Sequence, residues 1–249
     1  MRKLVAAIAC RNTSSRLFAK PLHNLDIANN VTILDYLLHL LQKIPCISDI
    51  VLGISEGIEN EIFKDYARKH KIRFIVGDEK DVLHRLILCC EKAEGTDVFR
   101  ITSESPFTYF EDIGAAWNSH LKNDNDATFM DNVPDGSNFE IITLEALKKS
   151  HNQGEDKHRS ELCTSFIREN KKQFKIELRD VPPALQRLDL RLTVDYPEDL
   201  ILCRAVYENF KDKAPLIPLK EIIEFLDLNP ALVRLTSQFC EEGYSTMYK

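Results

Sequence analysis

The chain has 249 residues, 44% of them apolar and 29% charged, which are ordinary values for a globular protein and allow one large α/β domain or two small ones. A net charge of −6 excludes a broad nucleic-acid surface, which needs an excess of cations. No apolar run approaches the ~20 residues of a membrane span, and seven scattered cysteines without a C-x-x-C spacing predict reduced, buried thiols in a cytoplasmic protein.

Leu4 to Ala9 is an apolar run that reads as a buried strand. Met-Arg-Lys before it imitates a short signal peptide. The run is at or below the lower limit of a signal core, and the cations and hydroxyls after it explain it better as a first strand. They lie on a loop carrying Arg11, Arg16 and Lys20, with Thr13, Ser14 and Ser15 between them. Three cations and three hydroxyls past the end of a central strand make a site for an oligophosphate. The plain alternative is a solvated basic loop.

Ile33, Leu34, Leu37, Leu38, Leu40, Leu41 and Ile44 have helical spacing, opened by Thr32 and Asp35 as a capping box. Residues 49–54 read as a second strand. Residues 59–70 read as a charged helix with Ile62, Phe63, Tyr66 and Ala67 inward. Residues 72–76 make a third strand, and Val82, Leu83, Leu86, Ile87 and Cys90 mark the next helix. Between them, Gly77 to Asp81 either frames a base or a phosphate with backbone donors or caps the helix.

A fourth strand over 97–102 ends in Ser103-Glu104-Ser105-Pro106. Glu104 is placed to hold Mg²⁺, which prefers oxygen ligands beside phosphates, or it is a surface acid. A helix over 110–122 precedes short strands at 127–130 and 139–142, parted by the turn Pro134-Asp135-Gly136. Helices near 143–150 and 159–170 and strands at 174–178 and 190–194 follow. Asp195 closes that last strand as a second Mg²⁺ ligand or an N-cap. Pro197 opens a helix through Phe210, with Glu198 and Asp199 as structural acids in its first turn. The tail from 218 to about 243 reads as two helices split at Asn229-Pro230.

Strand and helix alternate over the first 120 residues, which predicts a mainly parallel sheet covered on both faces. Asp124-Asn125-Asp126 reads as a solvated turn, and His151 and His158 lack metal-ligand spacing. No dinucleotide glycine motif, Walker loop or nucleophile elbow occurs.

Together these stretches resemble a known family. Arg11 to Leu22 resembles the R-x-G-S-x-R-L-P-x-K-x-L signature of cytidylyltransferases that activate acidic sugars, closest to the spore-coat polysaccharide branch. Gly77 to Arg85 is similar to G-S-x-x-D-V-L-x-R, and Arg100 to Pro106 to R-I-T-G-D-C-P. Pro134-Asp-Gly136, Leu192 to Leu200 and the tail from Leu219 to Pro230 also fit, so the likeness spans nearly the whole chain.

The resemblance implies a nucleotide-diphospho-sugar transferase fold, Rossmann-like, with a mixed, mainly parallel sheet. It implies CMP transfer from CTP, with Mg²⁺, to a sugar, acidic-sugar or sugar-phosphate acceptor for surface-glycan synthesis. By position, Arg11, Arg16 and Lys20 would be catalytic and bind the triphosphate with Ser14 and Ser15. Gly77 and Asp81 would lie near the base, Arg85 would orient that loop, and Glu104 and Asp195 would hold Mg²⁺. The expected division is a nucleotidyltransferase domain over 1–210 and a helical extension over 211–249. The paired helices of that extension would mediate a homodimer or cap the core.

The chain departs from the family pattern at Thr13 (a glycine), Phe18 (a proline), Ser103-Glu104 (Gly-Asp), Tyr109 (an acid) and Ser160-Glu161-Leu162 (Arg-Glu-His). Tyr109 and Leu162 mark an altered acceptor site. The departures keep two alternatives open: a non-catalytic nucleotide-binding protein on the same fold, or the same chemistry with another nucleotide.

Overall fold

The computed structural model describes residues 2–240. The first strand, β1 (Leu4–Cys10), is apolar throughout because it is central and buried on both faces. A two-stranded ribbon, β2 (Asn24–Asp26) and β3 (Val31–Thr32), leads into helix α1 (Ile33–Leu41). Thr32 and Asp35 form the expected capping box on α1: Thr32 Oγ1 accepts from the Asp35 amide, and the Asp35 carboxylate accepts from the Thr32 amide.

Next come β4 (Ile47–Ser55), α2 (Ile62–His70), β5 (Arg73–Gly77), α3 (Val82–Lys92), β6 (Asp97–Arg100) and α4 (Ile113–Lys122). The second half holds β7 (Ala127–Met130), β8 (Phe139–Thr143), α5 (Leu144–Gln153), α6 (Ser165–Glu169), β9 (Ile176–Leu178), α7 (Pro197–Asn209), α8 (Leu219–Leu228) and α9 (Pro230–Thr236).

Among the described residues, seven strands form one sheet in the order β5-β4-β1-β6-β8-β7-β9. The pairs β5–β4, β4–β1, β1–β6 and β7–β9 are parallel, and β8 runs antiparallel to both β6 and β7. Alternate residues of β1 feed two apolar layers. Leu4, Ala6, Ile8 and Cys10 face one layer with α1, α2, α4, α7 and α8; Val5 and Ala7 face the other with α3, α5 and α6. Each fully buried Leu or Ile contributes about 1.5–3 kcal/mol. Leu219, Ile222, Ile223 and Leu226 of α8 lie in the same layer as β1, so this tail helix packs into the main core.

Four expectations are corrected. Residues 190–194 make no strand: Arg191 forms an isolated bridge with Asp135. The Asp135 amide donates to Leu190 O, and the Leu192 amide to Asp135 O. The Val194 amide donates instead to Glu104 O, so the stretch stitches two loops together. The helix expected over 159–170 shrinks to α6, because the polar residues before it spend their hydrogen bonds on local turns and on Glu140. Ile62 is 41% exposed and faces away from the core, whereas Phe63, Ala67 and His70 are buried and Tyr66 packs against the core as expected. The second tail helix stops at Thr236, and residues 241–243 of the expected span lie outside the described residues.

No described helix is long and apolar enough to cross a membrane. All seven cysteines are free thiols.

Candidate active site

The loop after β1 is held by bonds to residues 59 and 60 and by one bond across itself. Its Asn12 amide donates to Asn60 Oδ1 at 2.8 Å, the Asn12 side chain donates to Glu59 O, and the Ala19 amide returns to Asn12 O at 2.8 Å. Ala19 takes the left-handed conformation at φ 54, whereas Thr13 is not among the residues at positive φ. The backbone at Thr13 therefore needs no glycine, and its hydroxyl meets Glu79 at 3.3 Å.

Below the loop lies Arg85 of α3, 1% exposed. It donates to Cys10 O at 3.3 Å, Gly53 O at 2.8 Å and Glu79 O at 3.4 Å. Burial lowers its pKa, and its Nε has no partner. It ties the ends of β1 and β4 to the segment that enters α3. A Cβ at Gly77 would stand 2.9 Å from Arg85 Cγ, so glycine gives this side chain its room. Asp81 caps α3 through the His84 amide and also meets His151 Nε2 at 2.7 Å.

Two adjoining cavities open at this end of the sheet. The larger, about 580 Å³, is lined by Arg11, Ser14, Ser15, Arg16, Lys20 and Arg85 among others. The smaller, about 310 Å³, is lined by Asp135, Glu140, Leu162, Arg168, Arg191 and Phe239 among others. Arg16, Arg100, Thr102, Glu104, Glu161 and Tyr196 line both. Gly77 and Asp81 belong to neither lining. Tyr109 also lies away from both and packs against the core, whereas Leu162 does face the smaller cavity.

The cations of the loop rest on carboxylates. Lys20 Nζ lies 2.5 Å and Arg16 3.0 Å from Asp195 Oδ1, and Arg11 lies 3.1 Å from Glu161. Asp195 Oδ2 accepts from Arg191 at 2.5 Å. Burial works to raise the Asp195 pKa, but Lys20, Arg16 and Arg191 outweigh it and hold the carboxyl below its ordinary range. Glu104 behaves oppositely. Burial raises it and Lys20 pulls it down, while Asp195 pushes it up. The two acids line the same smaller cavity.

Several contributors were missed in the sequence. Arg191 is 1% exposed and pairs with Asp135, Asp195 and Asp199. Glu140 of β8 is 3% exposed and pairs with Arg100 and Arg168. The available signal was a charge inside an apolar strand pattern, as in Phe139-Glu140-Ile141 and Leu190-Arg191-Leu192. Such a residue is buried only when paired.

The sequence profile described as cytidylyltransferase matches residues 5–236. An uncharacterised protein of Methanocaldococcus jannaschii is 29% identical over 242 residues, covering 97% of this chain and 98% of the relative. The spore coat polysaccharide biosynthesis protein SpsF of Bacillus subtilis is 25% identical over 235 residues, covering 92% and 96%. Among solved structures, a cytidylyltransferase from Leptospira borgpetersenii superposes with a TM-score of 0.84 at 20% identity, over 94% of this chain and 97% of that one. A CMP:2-keto-3-deoxy-manno-octonic acid synthetase complexed with CTP superposes at 0.60 with 14% identity, over 83% and 99%.

Proposed function

The chain belongs to the cytidylyltransferase family, and from that premise we propose that it transfers CMP from CTP to a sugar, acidic-sugar or sugar-phosphate acceptor and releases pyrophosphate. The carrying observation is the pair of adjoining cavities with Arg16, Glu104 and Tyr196 in their shared lining. The larger takes the nucleotide and the smaller the acceptor. An acceptor oxygen forms the new bond to the α-phosphorus, and the bond to the bridging oxygen breaks as pyrophosphate departs.

In this reading Arg11, Arg16 and Lys20 exchange part of their pairing with Glu161 and Asp195 for phosphate oxygens. Their charge matters most as it builds on the leaving pyrophosphate. Ser14 and Ser15 add hydroxyl donors. Arg85 keeps the floor of the loop fixed, so the cations are in place before substrate arrives. Gly77 and Asp81 serve the nucleotide through Arg85 and the start of α3.

Glu104 and Asp195 are the residues that would hold Mg²⁺. Their fit rests on two carboxylates in the lining of one cavity beside the basic loop, a donor set that suits a cation bound by one or two carboxylates plus phosphates. When bound, the ion supplies charge neutralisation at the phosphates. The relative named for spore coat polysaccharide biosynthesis supports a surface-glycan role.

The test is pyrophosphate release from CTP and Mg²⁺ across an acceptor panel of neutral, amino and acidic sugars and their phosphates. Lys20→Ala and Asp195→Ala are each expected to lower turnover by about 100-fold or more, the scale of losing one preorganised charge contact. Unchanged release in both variants would remove these residues from the mechanism.

A further inference from the structure

We propose that Phe239, in the segment after α9, is a positioning residue for the nucleotide phosphates: it fixes the ring of Tyr196, and Tyr196 fixes the Arg16 guanidinium. This rests on the reading of Arg16 as a phosphate contact.

The three side chains meet in series. The Phe239 and Tyr196 rings lie 3.9 Å apart between centroids and are inclined by only 9°. The Arg16 guanidinium carbon stands 5.4 Å from the Tyr196 centroid. Tyr196 borders both cavities, while Phe239 borders the smaller. An aromatic contact two steps from the loop thus reaches a cation in the nucleotide cavity.

Arg16 needs such a support. It sits on a loop, and its side chain is 41% exposed. Its charge partner is Asp195, which also carries Lys20 and Arg191. A triphosphate competes with Asp195 for that same charge. Tyr196 carries no charge to compete with an anion: it engages the guanidinium through its ring quadrupole and its hydroxyl.

Tyr196 is pinned at its backbone, where its amide donates to the Asp199 carboxylate at 2.9 Å. Its ring is not pinned by that bond. Phe239 stacks on the ring, and Arg191 stands 6.0 Å from its centroid. Phe239 is itself held by its neighbour: Cys240 Sγ approaches Asp189 O at 3.3 Å. The tail helices lie outside the sheet, yet through this phenylalanine they take part in the site.

The experiment is calorimetric binding of CTP with Mg²⁺ to the full chain and a double-mutant cycle between positions 239 and 16. Phe239→Ala is expected to weaken CTP by about three- to tenfold, the scale of one lost aromatic contact. Phe239→Tyr, which restores the ring, should return affinity to within about twofold of the parent. In an Arg16→Ala background, Phe239→Ala should cost nothing further, since the route through Arg16 is already gone.

If Phe239→Ala impairs folding, Phe239→Leu keeps the bulk without the ring and carries the same comparison. Undiminished CTP affinity in the ring-less variant overturns the proposal. So does an equal loss with and without Arg16, which would make Phe239 a merely structural residue. A parent chain that binds no CTP overturns the nucleotide reading itself, and this proposal with it.

Discussion

Arg191 stands among three carboxylates, Asp135, Asp195 and Asp199, at 2.6, 2.5 and 3.0 Å. Lys20 and Arg16 also pair with Asp195, while Asp135 and Asp199 share Arg191. Burial pushes Asp135 up from 3.8 to about 6; Arg191 opposes that rise, and Asp195 and Asp199 add repulsion. A folded-state pKa above the unfolded one means that the folded chain holds the proton more tightly. The stability this proton supplies is full below about pH 4 and is lost as pH rises through about 6. Asp135→Asn carries a neutral amide at every pH. It should therefore flatten the stability curve between pH 4 and 7 by on the order of 2 kcal/mol, read by thermal unfolding at each pH. A variant curve parallel to the parent's would place the proton on another acid of the cluster.

The decisive elements at the site are irregular ones. The turn Pro134-Asp135-Gly136, the stretch 190–195 and the loop 101–105 are joined by backbone bonds: Asp135 exchanges bonds with Leu190 and Leu192, and Val194 donates to Glu104. Gly136 has φ +90, and a Cβ there would stand 2.4 Å from the Thr193 amide nitrogen. Neither backbone can yield without breaking the seam that brings Asp135, Glu104 and Asp195 together. Gly136→Ala is expected to lower stability by more than about 2 kcal/mol, from backbone strain and the clash together. Denaturant unfolding measures it, and a loss below about 0.5 kcal/mol, the range of an ordinary surface change, would show the seam to be loose. The turn itself was legible as Pro-Asp-Gly. Its partner was not, because contact between residues 136 and 193 leaves no trace in local spacing.

For the molecule as a whole, a site built from separate loops should gain stability when a ligand bridges them. CTP at 100 times its dissociation constant adds about 2.7 kcal/mol. At roughly 2–4 °C per kcal/mol for a chain of this size, that is about 5–10 °C in Tm. The shift should need Mg²⁺ and should exceed those with UTP, ATP and GTP. An equal shift with another nucleotide would keep the chemistry and change the base. No shift with any would argue that the loop cations remain committed to Asp195 and Glu161.

The alternation of apolar segments determined the parallel half of the sheet, and Thr32 with Asp35 determined the start of α1. These signals are local: a strand's period, a cap's three-residue reach. The cations of the first loop and the acids at 104 and 195 were also legible, since chemically distinct residues follow strand-like runs. Only the tertiary structure decided which acid each cation meets, that Arg85 serves as the floor of the loop, and that Arg191 gathers three carboxylates. It alone brought Phe239 to Tyr196, 43 residues earlier in the chain. Long-range pairing is set by how sheet and helices pack, and packing buries a charge only where a partner from elsewhere in the chain arrives to meet it.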